Sequence, residues 1–385
     1  SFGPNYIIPK PFDPRLITSV APAVAKAAMD SGVAKSPIKD WSAYNAELIA
    51  RLGRDDKFIR LALEKAKADP KRVVFADGDT YRVLKAAQIV LDEGIAKPIL
   101  LGSRKQILKM IDQYQLGIED IQIVDPIAEE ELLESYSKRL WESRKRKGVT
   151  LYEAKKLMKK REYFASMMVE SGDADACISG LTIKYASAVK PILEVIGTVK
   201  GATTVAGMYV LLTKHGPLVL ADTTINEEPT VAEIVEITVN TAKSIARTNL
   251  TPRIALLSYS NFGSHKGEIP RKMHEAVAIL QRDFPDLIVD GEMQANFALD
   301  KDLLAEVFPF SNLVGQRPNV FIFPNLAAGN IAYKLLQSFG ALEAIGPLLI
   351  GVQKSAHVLQ MGSSVREIVN MTTLAVVDAQ TRKQK

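Results

Sequence analysis

Residues 71–102, KRVVFADGDTYRVLKAAQIVLDEGIAKPILLG, contain the pattern that decides the fold. A short apolar run, Val73–Ala76, is followed by Arg82–Leu91, in which apolar residues recur at the spacing of a helix. Gly94 ends that segment, and a second apolar run follows at Pro98–Leu101. A strand, a helix and a second strand within about 30 residues form the unit from which parallel sheets are built. The stretch therefore predicts an α/β fold.

The same alternation continues toward the C-terminus. Short apolar runs predict further strands, and Pro229 and Pro270 mark the starts of two of the helices between them. The predicted strands are Ile121–Val124, Asp175–Ser179, Thr204–Leu212 with its hairpin partner Leu218–Ala221, Ile254–Leu257 and Val320–Phe323. Alternating strands and helices are typical of a mostly parallel sheet that is covered by helices on both faces.

Other helical segments frame this alternation. Two charged helices are predicted at Glu129–Lys147 and Leu151–Glu170, and the last helix begins with a capping box at Ser364–Glu367. Near the N-terminus, prolines forbid a regular helix in Phe2–Arg15, whereas Val20–Ser31 has helical spacing. We expect this N-terminal part to be an arm or a linker, because it is too short to bury a core of its own.

The composition of the 385 residues is that of an ordinary globular protein. Hydrophobic residues make up 47% and charged residues 24%, and the mean hydropathy is +0.03, which excludes a disordered or collagen-like chain. The single cysteine, Cys177, cannot form an internal disulfide, so we expect a reducing compartment, the cytoplasm. No apolar run approaches the roughly 18 residues of a membrane helix, and the first residues do not resemble a signal peptide. We therefore expect no contact with a membrane.

The positive charge is concentrated in one segment. Between Lys138 and Arg161 there are eleven Lys or Arg residues and two acids, Glu142 and Glu153. Such a stripe can bind the phosphates of a ligand or a nucleic acid, but it is more often a solvated helix face. We favour the solvated face and expect no nucleic-acid partner.

Sequence motifs for several common chemistries are absent. There is no G-x-G-x-x-G after a strand, no Walker A motif, no H-E-x-x-H, no G-x-S-x-G and no pair of cysteines. The four histidines lie far apart, at positions 215, 265, 274 and 357. We therefore expect neither a metal site nor a dinucleotide cofactor in this chain.

Loops rich in small polar residues follow three of the predicted strands. They are Ser258–Ser264, Asn325–Asn330, with Lys334 one turn further on, and Ser179–Tyr185. Ligands of open α/β sheets bind beyond the carboxyl ends of the strands, so three such loops in one chain predict an anion site. Asp290–Glu292 ends a fourth strand, and we expect its acids to cap a helix or to line the rim of the cleft.

A series of short segments, in the same order along the chain, resembles the motifs of a known family. They are Val73–Asp79 with Arg82, Glu93–Pro98, Gly172–Asp175, Ser179–Gly180, Lys190–Pro191, Ala221–Thr223, Leu257–Ser260, Asp290–Glu292, Gly329–Asn330 with Tyr333–Lys334, and Ile345–Pro347. From Lys71 to the C-terminus the chain thus resembles the phosphate acetyltransferase (phosphotransacetylase) family. The resemblance implies two α/β/α domains, of the type also found in isocitrate and isopropylmalate dehydrogenases, with a cleft between them that binds coenzyme A and acetyl phosphate.

The beginning of the chain has a second resemblance. Phe2–Arg15 and Val20–Ala25 are similar to the end of the catalytic domain of bacterial malic enzymes, and Ser260–Ser264 is similar to the same loop in hybrid malic enzymes. In those hybrids a phosphotransacetylase-like domain follows the malic-enzyme domain. The implied organisation is a malic-enzyme tail and linker over residues 1–53, a first domain over 54–196 plus 348–385, and a second domain over 197–347.

One loop departs from the family pattern. Active phosphotransacetylases carry the string Asn-Asp-Leu-Ser-Arg-Gly, whereas this chain has His357–Gly362, HVLQMG. Val358, Gln360 and Met361 replace the Asp, Ser and Arg, and a later family acid aligns with Glu367, which belongs to the capping box. In the family, this Ser and this Arg are thought to help deprotonate the CoA thiol and to stabilise the transferring group. The resemblance therefore implies no catalytic residues here.

The residues that remain suit ligand binding. Arg82 matches a family arginine near the phosphate site, and Lys190 stands where the family has another arginine. Together with the polar loops, they complete the predicted ligand-binding set, which is Arg82, Lys184, Lys190, Ser258, Ser260, Asn261, Gly263, Ser264, Asn330 and Lys334.

The function expected from the resemblance is regulation. The chain would be the phosphotransacetylase-like regulatory and oligomerisation domain of a malic enzyme, with acetyl-CoA or CoA as its small-molecule effector and no acetyltransferase activity. Its partners would be its own malic-enzyme domain, which uses NADP and a divalent metal to convert malate to pyruvate, and at least one further copy. Two alternatives stay open: an active phosphate acetyltransferase, and a structural oligomerisation module with an empty cleft.

Overall fold

The computed structural model describes residues 15–51, 56–118, 120–340 and 342–382. The helices are α1 (Arg15–Asp30), α2 (Trp41–Arg51), α3 (Asp56–Ala68), α4 (Tyr81–Asp92), α5 (Arg104–Gln113), α6 (Glu130–Arg144), α7 (Leu151–Met158), α8 (Arg161–Ser171), α9 (Tyr185–Val195), α10 (Val231–Ala246), α11 (Glu268–Asp283), α12 (Ala295–Leu299), α13 (Lys301–Val307), α14 (Leu326–Gly340) and α15 (Val365–Thr381). The strands are β1 (Lys71–Phe75), β2 (Ala96–Leu101), β3 (Gln122–Val124), β4 (Ala176–Ser179), β5 (Ala206–Thr213), β6 (Gly216–Ala221), β7 (Arg253–Leu257), β8 (Ile288–Met293), β9 (Val320–Ile322), β10 (Glu343–Ile350) and β11 (Ser355–Val358).

A five-stranded parallel sheet contains the segment on which the fold was predicted. Its order is β11-β4-β1-β2-β3, and Val74 of β1 lies opposite Ile99 of β2 on one side and Cys177 of β4 on the other. All three of these side chains are buried. Helices cover both faces of the sheet, which is why its strands are continuous apolar runs instead of alternating ones.

A second sheet has six strands in the order β10-β5-β6-β9-β7-β8. The predicted hairpin is confirmed, since β5 and β6 pair antiparallel and Tyr209 lies opposite Leu220. Beyond the hairpin, β6, β9, β7 and β8 run parallel to one another. The predicted α/β architecture is thus confirmed, with two sheets that each present the carboxyl ends of several strands at one edge.

The chain builds the two sheets in an interleaved order. The first sheet takes its strands from residues 71–179 and 355–358, and the second takes its strands from residues 206–350. The chain therefore leaves the first unit, completes the second and returns. The domain boundaries expected after residues 53, 196 and 347 stay a prediction, and β10 runs across the last of them.

The prediction of one helix over Leu151–Glu170 is wrong. The segment forms α7 and α8, because the backbone of Lys160 is extended, with φ −86° and ψ 129°, and serves as the N-cap of α8. The N–H of Lys160 donates to the carbonyl of Leu157, which closes the end of α7. Helical spacing continues across this break, so the spacing alone could not reveal it. The predicted capping box of α15 is confirmed, with Ser364 and Glu367 bonded to each other's backbone.

A buried polar cluster lies where α10 and α15 meet β11. The Asp378 carboxylate accepts hydrogen bonds from Arg247 at the end of α10 and from Arg382 (2.8 Å). His357 Nε2 lies 3.8 Å from the same carboxylate and 3.3 Å from the Ser355 hydroxyl. Burial lowers the pKa of the His357 imidazole to about 4, so the ring is neutral at neutral pH.

This cluster predicts a pH-dependent loss of stability. The unfolded imidazole has a pKa near ~6.5, so between about pH 6.5 and pH 4 the unfolded chain gains a proton that the folded chain does not. Stability is therefore present above this window and falls as the pH drops through it, by roughly 3 kcal/mol at most. Chemical denaturation at pH 7 and pH 5 measures the loss.

The variant His357→Gln should reduce the difference between the two pH values, because it removes the titrating group. Its matched control, His265→Gln, changes an exposed imidazole in a loop and should keep the difference seen in the parent. Equal pH dependence of the parent and the His357→Gln variant would contradict the assignment to His357.

Candidate functional site

The candidate site lies at the carboxyl ends of β1 and β4 in the first sheet, where the strand order predicts a ligand crevice. The connection from β1 leads to β2 on one side, whereas the chain reaches β4 on the other side only after β3. Ligands of open α/β sheets bind where the strand order reverses in this way. The loops that follow β1, β4 and the neighbouring β11 therefore form the candidate site.

A buried carboxylate holds two of these loops together. Asp77, just after β1, accepts a hydrogen bond from the N–H of Leu181 (3.0 Å) and another from the hydroxyl of Thr182, both in the loop after β4. Gly180 in that loop has φ +95°, and a Cβ there would lie 2.9 Å from the carbonyl oxygen of Leu359 in the loop after β11. The three loops thus pack as one unit, in a conformation that glycine permits.

Arg82 connects the third loop to this unit. It lies in the first turn of α4, and its two terminal nitrogens donate to the carbonyls of Ser363 (2.7 Å) and Met361 (3.1 Å). A guanidinium carries five N–H groups, so three of them are left for an anion. The structure places this predicted ligand residue at the crevice, partly exposed.

The loop after β11 carries the residues that depart from the family pattern. Val358 is buried at the end of β11, the N–H of Gln360 donates to the Ser363 hydroxyl (3.2 Å), and the side chain of Met361 is 57% exposed. Glu367 accepts the backbone N–H of Ser364 (2.6 Å) in the capping box. The exposed end of the loop therefore offers a neutral thioether and an amide, without a charged group.

An open cleft of about 400 Å³ lies beside the crevice, between α9 and the loop after β6. The hydroxyls of Tyr185 and Thr224 approach to 3.3 Å across it. Lys190 is exposed and lies 4.0 Å from Glu194, and Lys184 is exposed just before α9. The lining is Tyr185, Ala186, Val189, Lys190, Leu193, Glu194, Thr224 and Ile225. This mixture suits an amphipathic ligand that carries negative charge.

The predicted loop at Ser258–Ser264 bonds mainly within the second unit. Glu292 in β8 is fully buried and accepts the hydroxyl of Ser260 (2.8 Å) and the N–H of Gly263 (2.7 Å). Ser264 accepts the N–H of Asn261 (3.0 Å). The donors of this loop therefore already have partners inside the second unit. The bonds to Glu292 are needed there, because a buried carboxylate without hydrogen bonds would be costly.

The expectation for the acids in Asp290–Glu292 is wrong. Neither caps a helix or lines a rim, because both are buried inside β8. Asp290 accepts the hydroxyl of Ser311 (2.7 Å) and the N–H of Asn312 (2.8 Å). The chain uses both carboxylates as internal anchors for neighbouring loops.

Two further predicted residues lie on α14, at the carboxyl edge of the second sheet. The side-chain amide of Asn330 donates to the carbonyl of Thr223 (3.0 Å), and the Lys334 ammonium is exposed, 5.3 Å from the ring centre of Tyr333. Ser258 is partly exposed and accepts the N–H of Ser260 (3.3 Å). The predicted ligand residues are therefore divided between the edges of the two sheets.

The residues of the basic segment fall into two groups with different roles. Arg161 forms a bidentate pair with Asp79 in the loop after β1, and Arg144 pairs with Glu194 of the cleft (3.3 Å). Among the described residues, no carboxylate pairs with Arg146, Lys147, Lys156, Lys159 or Lys160. The two arginines help to build the site, whereas these five cations form an exposed basic surface.

The sequence reasoning missed the acids that organise the site. Asp77, Asp79 and Glu194 each bind a neighbouring loop or a partly buried arginine, and the ligand-residue prediction contained no carboxylate. Asp77 and Asp79 had a usable signal, because both follow directly after a predicted strand. Nothing in the sequence indicates that Glu194 would meet Arg144.

The described part of the chain contains no group of three or more His, Cys, Asp or Glu residues that could hold a metal ion. Within the same residues, none of the helices combines the length and the apolar character that crossing a bilayer requires.

Comparisons with known proteins identify the family and support the fold. Residues 57–376 match the family described as phosphate acetyl/butaryl transferase, and the chain belongs to that family. It is 41% identical over 386 residues to an NADP-dependent malic enzyme of Salmonella typhimurium, which covers 99% of this chain and 51% of the relative. It is 36% identical over 324 residues to a phosphate acetyltransferase of Clostridium acetobutylicum, which covers 82% of this chain and 97% of that protein.

A solved phosphotransacetylase of Streptococcus pyogenes superposes with a TM-score of 0.79 at 33% identity and covers 84% of this chain and 98% of the other. The predicted resemblance and the predicted fold are thus confirmed. The chain spans about half the length of the malic enzymes that it matches. The ligand-binding residues stay predictions.

The anchoring role of Asp77 predicts a loss of stability in Asp77→Asn. The amide keeps the shape of the carboxylate but replaces one of its two acceptor oxygens by a donor, so one of the bonds to Leu181 and Thr182 is lost. We expect the free energy of unfolding to fall by about 1–3 kcal/mol. Denaturant titration measures it. The control, Asp92→Asn at an exposed site in α4, should stay within about 0.5 kcal/mol of the parent, and an equal effect of both changes would contradict the role of Asp77.

Proposed function

We propose that this chain is the acetyl-CoA-binding regulatory domain of a malic enzyme and that it does not transfer acetyl groups. One observation carries the proposal. Arg82 is kept at the crevice, while the loop that it binds presents Gln360 and Met361 where an active family member has Ser and Arg. A site with its anion-binding group retained and its reacting groups replaced suits an effector better than a substrate.

The binding half of the proposal rests on three cations and one cleft. Arg82 has free N–H groups at the crevice, Lys190 lines the neighbouring cleft, and Lys184 is exposed in the loop just before α9. Coenzyme A combines phosphates with a pantetheine arm in which methyl and methylene groups alternate with amides. The phosphates suit the cations, and the arm suits the apolar lining contributed by α9.

The absence of acetyl transfer, the second part of the proposal, is argued from charge. Acetyl transfer to or from phosphate develops negative charge that a preorganised cation or hydrogen-bond donor must stabilise. The Met361 thioether is neutral and accepts hydrogen bonds only weakly, so it cannot do this. Gln360 offers an amide, which cannot deprotonate a thiol.

The remainder of the proposal concerns the longer protein. We propose that a malic-enzyme domain outside this chain converts malate to pyruvate with NADP and a divalent metal, and that acetyl-CoA restrains it through this domain. We also propose a cytoplasmic homo-oligomer, at least a dimer, without nucleic-acid or membrane partners. The similarity to malic enzymes over 99% of this chain supports the assignment.

An active phosphate acetyltransferase is the second candidate. The similarity to a phosphate acetyltransferase over 97% of that protein's length favours it, as does the retained Arg82. A structural module with an empty cleft is the third. Activity and binding measurements separate the three.

The first prediction is that the purified chain makes no acetyl-CoA from acetyl phosphate and CoA above background. The double change Gln360→Ser with Met361→Arg restores the family pair and should raise the rate by about 10²-fold or more. A coupled assay of CoA acetylation measures both. Parent turnover within about tenfold of an authentic phosphotransacetylase would favour the second candidate.

The second prediction is saturable binding of acetyl-CoA by the parent, measured by isothermal titration calorimetry. Arg82→Gln should weaken the affinity about tenfold or more, because it removes a charge-assisted bond to phosphate. The control, Arg282→Gln in the last turn of α11, removes an exposed cation at the other end of the second sheet and should leave the affinity unchanged. No binding at millimolar acetyl-CoA would favour the structural module.

A further inference from the structure

Helix α15 starts beside the candidate site and ends beside α3. Before its first residue lie Met361 and Ser363, whose carbonyls bind Arg82. Near its other end, Gln380 contacts the backbone of α3. A straight helix of this length is about 25 Å long, so it joins two places that are otherwise far apart.

At the site end, one side chain connects ligand and helix. The guanidinium of Arg82 has N–H groups left after binding the two carbonyls. A phosphate bound by these groups would contact the same guanidinium that binds the loop after β11. Occupation of the site therefore acts directly on the segment from which α15 begins.

The middle of α15 is packed on all sides. Ile368 and every residue from 370 to 377 are buried, and so is Asp378, which binds Arg247 of α10 and Arg382. A helix that is packed this densely has little freedom to bend, so a shift at one end is carried along its length.

At the far end, the side chain of Gln380 caps another helix. Its Nε2 donates to the carbonyls of Lys65 (2.9 Å), Ala66 (3.3 Å) and Asp69 (2.8 Å) at the end of α3. The last carbonyls of a helix have no partner within it, so the stability of this end of α3 depends on a residue of α15. Upstream of α3 lie α2 and α1, which contact each other.

We propose that α15 transmits occupation of the Arg82 site to α3, with Gln380 as the connecting residue. The proposal rests on the acetyl-CoA binding proposed above and adds the route by which binding would reach α3. Arg82 acts at the site, whereas Gln380 is a positioning residue that touches no ligand.

Hydrogen exchange of the whole chain, with and without saturating acetyl-CoA, tests the route. In the parent, acetyl-CoA should slow amide exchange both in residues 359–364 and in α3, in each case about fivefold or more. Gln380→Met keeps the volume of the side chain but removes its donors. This variant should keep the affinity for acetyl-CoA and the protection of residues 359–364, and it should lose the ligand-dependent protection of α3.

Gln380→Ala provides a second test with the same expectation, in case the methionine side chain replaces the lost contacts by packing. The matched control is Gln106→Ala, an exposed glutamine on α5, which should behave as the parent does. Calorimetry on each variant gives the occupancy at which exchange is compared.

The outcomes distinguish the two proposals. If the parent binds acetyl-CoA but exchange in α3 does not change, the route is wrong and the binding proposal stands. If α3 is protected equally in the parent and in both Gln380 variants at the same occupancy, Gln380 is not the connection and the route is overturned. If the parent does not bind acetyl-CoA, both proposals fail.

Discussion

The buried carboxylate of Asp77 is the interaction on which the candidate site depends. It lies where the strand order of the first sheet reverses, and a crevice at that point exists only if the loops after β1 and β4 are held in a fixed position. Asp77 supplies this constraint by accepting two hydrogen bonds from the opposite loop. The loop after β11 packs on the same unit through Gly180, and Arg82 then binds that loop from the start of α4.

The carboxyl edges of the two sheets are used differently. At the second sheet, Glu292 and Asp290 take up hydroxyl and backbone N–H donors from the loops around them, so those loops are internally satisfied. At the first sheet, Arg82 keeps N–H groups free, and the exposed Lys190 lines the neighbouring cleft. The first edge is therefore the one that we propose for an anionic ligand, although the sequence offered candidate loops at both.

Parts of the site could be predicted from the sequence, and parts could not. Arg82 and Lys190 were predicted from matching positions in family segments and Lys184 from the polar loop after β4, and the structure places all three at or beside this edge of the first sheet. The roles of Glu292 and Glu194 were not predicted. Each depends on a partner from another element, and no local pattern encodes a contact between distant parts of the chain.

The sequence by itself determined the α/β class, most strands and most helices, since these depend on apolar spacing, glycine and proline placement and capping residues that act locally. The strands β10 and β11 were not predicted. The sequence also shows Gln360 and Met361 at the positions where the resemblance implies a Ser-Arg pair. Only the tertiary structure decided that α7 and α8 are separate and that α15 joins the site loop to α3. The break between α7 and α8 is an extended backbone conformation at Lys160 that helical spacing does not encode. The bond from Gln380 to Lys65 joins residues 315 positions apart, and such a contact forms only when the whole core is packed.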